Sequence, residues 1–146
     1  MGKRSLIFLV ALAILALTLV ACGGNGGDDS QTGATELNVS VKDEFNFDPN
    51  TLSVKANDEI TLTFENTGTL KHAFALLKEG VDLEHALEED EEELHEELLL
   101  EIHEIASGER ATETFTAPSA PGDYVFLCTV PGHAEAGMVG TLTVTP

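Results

Sequence analysis

Cys128-Thr-Val-Pro-Gly-His133-Ala-Glu-Ala-Gly-Met138 is the stretch from which the fold and chemistry of this chain can be predicted. It places a thiol, an imidazole and a thioether in one loop at Cys-x4-His-x4-Met spacing. The chain of 146 residues has only two Cys and two Met. Pro131 and Gly132 favour a bend between the thiol and the imidazole. Cys128, His133 and Met138 are therefore candidate ligands for a soft metal ion.

The loop supplies one imidazole, and a metal site of this kind needs a second. His72 can supply it, because it begins the apolar run His72-Ala-Phe-Ala-Leu-Leu77, which is typical of a buried strand. A thiolate, two imidazoles and a weak axial thioether are the ligands of a blue-copper electron-transfer site. The alternative is that these residues are ordinary core side chains, since a lone Cys or Met usually fills core space.

Most of the chain after residue 34 consists of short runs in which apolar and polar residues alternate, as they do in half-buried strands. Turns rich in Gly, Pro and Asn separate these runs. Short strands at such spacing predict an all-β sandwich. Tyr124, Phe126 and Cys128 alternate, so we expect all three to face the core. The predicted strands are Glu36–Val41, Thr51–Lys55, Ile60–Phe64, His72–Leu77, Arg110–Phe115, Tyr124–Cys128 and Met138–Thr145.

Residues 80–107 depart from this pattern. Thirteen of the chain's 26 acidic residues lie between Glu79 and Glu104. Apolar residues recur there at helical intervals, which predicts an acidic amphipathic α-helix inserted between two strands. We expect its apolar stripe to pack on the outside of the sandwich, and docking of a partner on the acidic face is the alternative. The stripe consists of Leu87, Leu94, Leu98, Ile102 and Ile105.

The same segment contains three histidines, His85, His95 and His103. His95 and His103 are separated by about two helical turns, which is too far for them to bind one ion as helical neighbours. We expect all three imidazoles to be solvated, and a second metal site that joins His95 to Glu91 or Glu92 at helical spacing is the alternative. This leaves His72 as the favoured upstream ligand.

The first 21 residues predict a secretory signal peptide, because two basic residues precede a long apolar run. Leu19-Val20-Ala21-Cys22 resembles a bacterial lipoprotein box, which implies cleavage before Cys22 and lipid attachment to it. An uncleaved membrane anchor is the alternative. Residues 22–34 then form a Gly-rich flexible linker. Residues 35–146 suit one domain outside the cytoplasm.

The net charge of −19 argues against nucleic-acid binding, which requires clustered Lys and Arg. An acidic surface suits a basic redox partner that is attracted by electrostatic steering, and plain solubility or adaptation to salt explains the charge equally well. If Cys22 is lipidated, Cys128 is the only thiol left, so no disulfide can form within the chain. Metal ligation would protect this thiol in an oxidising compartment.

Residues Glu36 to Pro146 resemble a cupredoxin, a type 1 blue copper protein, of the auracyanin and azurin group. The resemblance implies a Greek-key β-sandwich with one type 1 copper ion. It also implies His72, Cys128 and His133 as trigonal ligands and Met138 as the axial ligand. The resemblance rests on Phe45-Asn-Phe-Asp-Pro49, Asn66-Thr-Gly68, Gly122-Asp-Tyr-Val-Phe-Leu-Cys128, the Cys128–His133 stretch and Gly137–Pro146.

The resemblance further implies that the edge of His133 reaches the surface and passes the electron through an apolar ring. The ring would consist of Val130, Pro131, Ala134, Ala136 and Gly137, with Glu135 inside it. Two positions depart from the family pattern. Lys71 stands where azurin-like proteins have a Gly whose carbonyl approaches copper, and Ala73 replaces an Asn that braces the Cys loop.

These features predict a monomeric one-electron copper carrier that is tethered to the outer face of a bacterial membrane and is not an enzyme. Its partners would be redox proteins of a membrane electron-transport chain. The alternative is an extracytoplasmic copper chaperone or storage lipoprotein. A binuclear copper domain would need a Cys at position 132, which is Gly. A haem carrier would need Cys-x-x-Cys-His, which this sequence lacks.

Overall fold

The computed structural model describes residues 34–146. The predicted signal peptide, Cys22 and nearly all of the predicted linker lie outside these residues. Within residues 34–146, neither helix has the length and hydropathy that a membrane span requires. The elements in chain order are β1 Thr35–Val41, β2 Phe47–Asp48, β3 Thr51–Lys55, β4 Glu59–Asn66, β5 His72–Leu77, α1 Leu83–Glu88, α2 Glu91–Glu96, β6 Leu98–Ile105, β7 Arg110–Thr116, β8 Gly122–Leu127 and β9 Val139–Thr145.

The strands form two sheets, which confirms the predicted all-β sandwich. One sheet has the order β2-β1-β4-β7, and the other has the order β3-β9-β8-β5-β6. The pairs β1–β4 and β3–β9 are parallel, and the remaining pairs are antiparallel. Non-sequential neighbours of this kind require connections that cross between the sheets, as in Greek-key sandwiches.

The main core lies between the two sheets and follows from the alternation in the sequence. Leu52 and Val54 of β3 are buried while their strand neighbours are exposed. The centre of the core is aromatic: the ring centroid of Phe47 lies 5.1 Å from that of Phe126 and 5.7 Å from that of Phe74. Tyr124, Phe126 and Cys128 all belong to this core, as predicted.

Strand β5 is buried along its whole length, as its continuous apolar run predicts. Phe74 and Leu76 point into the main core. Leu77 belongs to a second, smaller cluster with Ala86 of α1, Leu127 and Ala134. Leu94 and Leu98 pack against this cluster on the outside of the sandwich, as predicted for the apolar stripe of the acidic segment. The prediction is wrong for the rest of the stripe, because Ile102 and Ile105 lie in the main core and Leu87 is exposed.

The prediction of a single helix over residues 80–107 is wrong, because helical structure covers only part of this segment. The segment forms two short helices, capped by the carboxylates of Asp82 and Asp90, and then strand β6. Leu94, Leu98 and Ile102 fit a helical spacing, but Leu98, Leu100 and Ile102 also alternate. Pairing of β6 with β5 decides between these patterns, because an edge strand here covers backbone groups of the buried β5.

The seven predicted strands are all present, with ends that differ by at most two residues. Two further strands, β2 and β6, were not predicted. β2 has only two residues and precedes Pro49, so its sequence contains too few positions to show an alternation.

Candidate metal centre

Three of the predicted ligands converge in the structure. One donor atom from each of His72, Cys128 and His133 lies within 4.8 Å of the others. His72 is the first residue of β5, Cys128 directly follows β8, and His133 lies in the loop between β8 and β9. Two neighbouring strands and one connecting loop therefore fix the three side chains.

The ligand loop, residues 128–138, is held in shape by its own backbone. The N–H of His133 donates to the Val130 carbonyl at 3.0 Å, and the N–H of Met138 donates to the His133 carbonyl at 2.9 Å. The N–H of Cys128 donates to the Met138 carbonyl at 3.1 Å, which closes the loop between its two ends. Gly132 and Gly137 have φ values of 83° and 100°, which side chains disfavour.

The Cys128 thiol is 1% exposed, and burial raises its pKa, because the charged thiolate loses its hydration. The backbone N–H of Ala73 donates to Sγ at 3.3 Å and acts in the opposite direction. The Nδ1 atom of His133 lies 3.5 Å from the same sulfur. A buried thiol in this setting becomes a thiolate when a cation compensates its charge, so the sulfur suits a metal ion.

His72 is completely buried, and neither of its ring nitrogens has a hydrogen-bond partner. Burial lowers the pKa of this imidazole, and the neighbouring His133 lowers it further. The backbone carbonyl of Lys42 favours the protonated ring, although its geometry is not that of a hydrogen bond. Buried polar atoms normally have partners. A neutral imidazole with a free nitrogen next to a buried sulfur therefore fits a soft metal ion.

Met138 completes the predicted set and is also fully buried. It belongs to the same core cluster as Cys128, and its backbone contacts both Cys128 and His133. The rings of His72 and His133 lie 5.0 Å apart at their centroids. His133 is only partly buried, so it is the imidazole of this centre that reaches solvent.

Phe45 also belongs to this site, although the sequence predicted no role for it. Its ring meets the ring of His133 edge to face, with centroids 4.7 Å apart. Its φ of 50° is rare for a bulky residue and indicates a backbone that surrounding contacts hold in place. The run Phe45-Asn-Phe contained an aromatic signal, but nothing in it showed that the first ring would reach the metal loop.

Two polar side chains support the turn that leads into His72. The Asp43 carboxylate accepts hydrogen bonds from the N–H of Thr69 at 2.7 Å and from the N–H of Leu70 at 3.0 Å. Buried Asn66 donates to the carbonyls of Leu70 and Ile105 at 2.7 and 3.1 Å. These hydrogen bonds fix the turn that comes directly before His72.

The histidines of the acidic segment lie apart from this centre and are exposed, as predicted. His85 contacts Glu97 at 3.0 Å, while His95 and His103 contact Glu101 at 2.8 and 3.3 Å. In the predicted apolar ring, Ala134 is buried in the second cluster and therefore does not contribute to the surface. Pro131, Ala136 and Gly137 are exposed, as the ring requires.

Comparison with known proteins agrees with this geometry. A family model described as copper binding proteins, plastocyanin/azurin family, matches residues 34–145. Auracyanin-B of Chloroflexus aurantiacus is 33% identical over 141 residues, which cover 86% of this chain, and this chain spans only 60% of that relative. The copper-resistant cuproprotein CopI of Rubrivivax gelatinosus is 30% identical over 133 residues, covering 83% of this chain and 72% of CopI.

A solved structure adds a match in three dimensions. Sodium-dithionite-reduced auracyanin from the photosynthetic bacterium Roseiflexus castenholzii superposes with a TM-score of 0.69 at 32% identity. The match covers 78% of this chain and 100% of that protein. The whole sandwich of the solved structure is therefore present within this chain.

Proposed function

Because the chain belongs to the plastocyanin/azurin family of copper-binding proteins, we propose that it transfers single electrons through one type 1 copper ion held by His72, Cys128, His133 and Met138. Proteins of this family are electron carriers and not enzymes. The observation that carries the ligand assignment is the convergence of three donors. One of them is a buried imidazole whose nitrogens lack hydrogen-bond partners.

Copper supplies the reversible one-electron couple in such a site. Cys128 provides a negative sulfur, and the N–H of Ala73 steadies that charge with a hydrogen bond. His72 and Met138 are fully buried, so they exclude water from the inner side of the centre. The strands and loop hydrogen bonds fix all four side chains, so little has to move when the charge of the centre changes.

His133 is the route by which electrons reach the surface in this proposal. It is only partly buried, whereas the other three ligands are buried. Pro131, Ala136 and Gly137 of the same loop are exposed and uncharged, and exposed Glu135 adds one negative charge among them. A small apolar contact of this kind suits brief encounters between redox proteins.

The partner and location of the carrier are proposed from the sequence. The net charge of −19 favours a partner with a basic docking surface. A signal peptide over residues 1–21 and a lipid on Cys22 would tether the domain to the outer face of a membrane, with residues 22–34 as a flexible linker. In this arrangement the carrier works as a monomer, beside the redox proteins of a membrane electron-transport chain.

Copper handling is the second candidate function. It is favoured by the similarity to CopI, which is described as a copper-resistant cuproprotein. A chaperone or storage protein could use the same four side chains to hold Cu(I), but it would not need a fixed site for Cu(II).

A visible absorption spectrum of the full chain loaded with one equivalent of Cu(II) separates the two functions. A carrier shows an intense band that bleaches with ascorbate and returns on oxidation, and Cys128→Ser removes the band. Met138→Leu serves as a matched control, because it keeps the thiolate and should retain the colour. Copper bound at full occupancy without such a band would reject the carrier and favour copper handling.

A further inference from the structure

A second group of imidazole and carboxylate side chains lies in a cavity that residues of the ligand loop also line. This cavity has a volume of about 910 Å³ and lies among α1, α2, β6 and residues 127–135. Its polar lining consists mainly of carboxylates and two imidazoles, those of His95 and His103. Among the described residues that line it, none is Lys or Arg. The negative charge of this lining therefore favours cations over anions.

Glu101 connects the two imidazoles. Its Oε2 atom lies 2.8 Å from Nδ1 of His95, and its Oε1 atom lies 3.3 Å from Nδ1 of His103. The Glu101 side chain is 18% exposed, while those of His95 and His103 are 69% and 84% exposed. A mostly buried carboxylate thus lies between two largely exposed imidazoles.

The fold brings these residues together although the sequence separates them. Glu101 and His103 are two positions apart on strand β6, so they project from the same face. His95 lies in the last turn of α2, and the chain reverses directly after it to enter β6. The strand conformation of residues 98–105 creates this cluster, because a continuous helix would have directed Glu101 and His103 to different sides.

We propose that His95, Glu101 and His103 form a second metal site, which binds a divalent transition-metal ion and prefers Cu(II). Two imidazoles and a carboxylate suit Zn(II) and Cu(II), and Cu(II) binds most tightly to such N and O donors. Adjacent ligands around an ion at about 2.0–2.2 Å lie roughly 2.8–3.5 Å apart, which includes both contacts of Glu101. His95 and His103 contact different oxygens of Glu101 in this structure, so binding of one ion requires the exposed ring of His103 to rotate towards His95.

This site is distinct in chemistry from the centre of His72, Cys128 and His133. It has no sulfur ligand and is open to solvent, so an ion there lacks the thiolate band. It still shares a wall with that centre, because Cys128, Thr129 and Val130 also line the cavity. The chain would therefore hold an exchangeable copper ion next to the loop that supplies the ligands of the buried one.

Titration of the copper-loaded full chain tests the proposal. With the first centre filled by one equivalent of Cu(II), calorimetry with Zn(II) should show one further equivalent. His95→Ala and His103→Ala should each weaken this binding by at least about tenfold, since even the supporting partners of metal ligands contribute 10–100-fold. Glu101→Gln should act in the same way. With Cu(II) as the probe, a second paramagnetic resonance signal without thiolate character should appear and depend on the same residues.

His85→Ala is the matched control, because it removes another exposed imidazole of the acidic segment that pairs with Glu97 instead. It should leave the second equivalent unchanged. Absence of a second equivalent, or equal effects of His85→Ala and His95→Ala, would overturn the proposal. Repeating the titration in Cys128→Ser separates it from the proposed carrier function, because binding that depends on His95 should persist after the first centre has lost its thiolate.

Discussion

The ring of Phe45 stands edge on to the ring of His133 at an interplanar angle of 68°, and the two centroids are 4.7 Å apart. Edge-to-face pairs at this separation are attractive and define the orientation of both rings. Phe45 occupies a left-handed backbone conformation, so the fold maintains this contact in spite of a local conformational penalty. Phe45 therefore positions the solvent-facing imidazole of the metal centre.

Removal of this ring should affect both stability and the metal spectrum. Phe45→Ala should lower the free energy of unfolding of the metal-free protein by about 1–3 kcal/mol and broaden the Cu(II) resonance signal, because His133 gains freedom. Phe115→Ala is the control, since Phe115 is also partly buried against the core but lies on β7. Equal spectral changes in both variants would show that Phe45 acts only through packing.

His72 should make the metal-free protein less stable than an apolar side chain would. Its two buried ring nitrogens have no hydrogen-bond partner, so His72→Leu should leave the metal-free protein about as stable or more stable in urea unfolding. The same variant should lose the stabilisation by copper, about 2.7 kcal/mol when free copper is 100 times its dissociation constant. His85→Leu should keep that stabilisation. A large loss of stability in metal-free His72→Leu would contradict this expectation.

Met138 should set the reduction potential without deciding whether the chain folds. Met138→Gln presents a harder oxygen donor, which favours Cu(II) over Cu(I). The potential measured by voltammetry should fall by more than about 59 mV, a tenfold change in relative affinity for the two oxidation states. Met138→Leu keeps a similar volume and should change the unfolding free energy by less than about 1.5 kcal/mol. An unchanged potential in Met138→Gln would place Met138 outside the ligand set.

Asn66 should contribute strongly to stability, because it is fully buried and its amide serves three backbone groups. Asn66→Ala removes these hydrogen bonds and should lower the free energy of unfolding by about 3 kcal/mol, since each buried group left without a partner costs about 1–3 kcal/mol. Asn38→Ala on the exposed side of β1 is the control and should change it by less than about 0.5 kcal/mol. Chemical unfolding of the metal-free proteins measures both.

Asp43 should make the metal-free protein sensitive to acid. Its pKa lies below the ordinary value of 3.8, first because of the hydrogen bond from the Leu70 N–H and then because of the one from the Thr69 N–H. A lowered pKa in the folded state means that this stabilisation is complete above the unfolded pKa and is lost as the pH falls through the folded one. Unfolding midpoints measured between pH 6 and pH 2 should therefore decrease as the pH falls, and Asp43→Asn should make this decrease smaller.

Asp48→Asn is the control for this titration. The Asp48 side chain accepts no hydrogen bond in the described part of the chain, and it is exposed on β2. Its removal should leave the acid dependence of the unfolding midpoint as it is in the unchanged protein. The same acid dependence in Asp43→Asn would mean that other carboxylates cause the loss.

Three of the candidate ligands could be found in the sequence because their spacing is local. Cys128, His133 and Met138 share one loop, and His72 begins the most apolar strand of the chain. The all-β sandwich could also be predicted, since apolar residues that alternate with polar ones, such as Leu52 and Val54, indicate a half-buried strand. These patterns depend on neighbouring residues and require no knowledge of the tertiary structure.

Other features depended on contacts between distant residues. Leu98 and Ile102 satisfy both a helical and an alternating pattern, and only pairing with β5 makes this segment a strand. The contact of Phe45 with His133 joins residues from opposite ends of the domain. Asp43 likewise reaches Thr69 and Leu70 across a turn that local sequence does not specify. Tertiary structure determined each of these results, so local patterns could not predict them.

The two ends of the ligand loop meet at one rung of the sheet, because Leu127 of β8 pairs directly with Val139 of β9. The 11 residues from Cys128 to Met138 can therefore vary without shifting the register of either strand. Insertions or substitutions in this loop should therefore change the redox behaviour of the site while the fold of the sandwich stays the same. Among the candidate ligands, only His72 on the neighbouring strand β5 lies outside this loop, so it is the one contact that a changed loop must still meet.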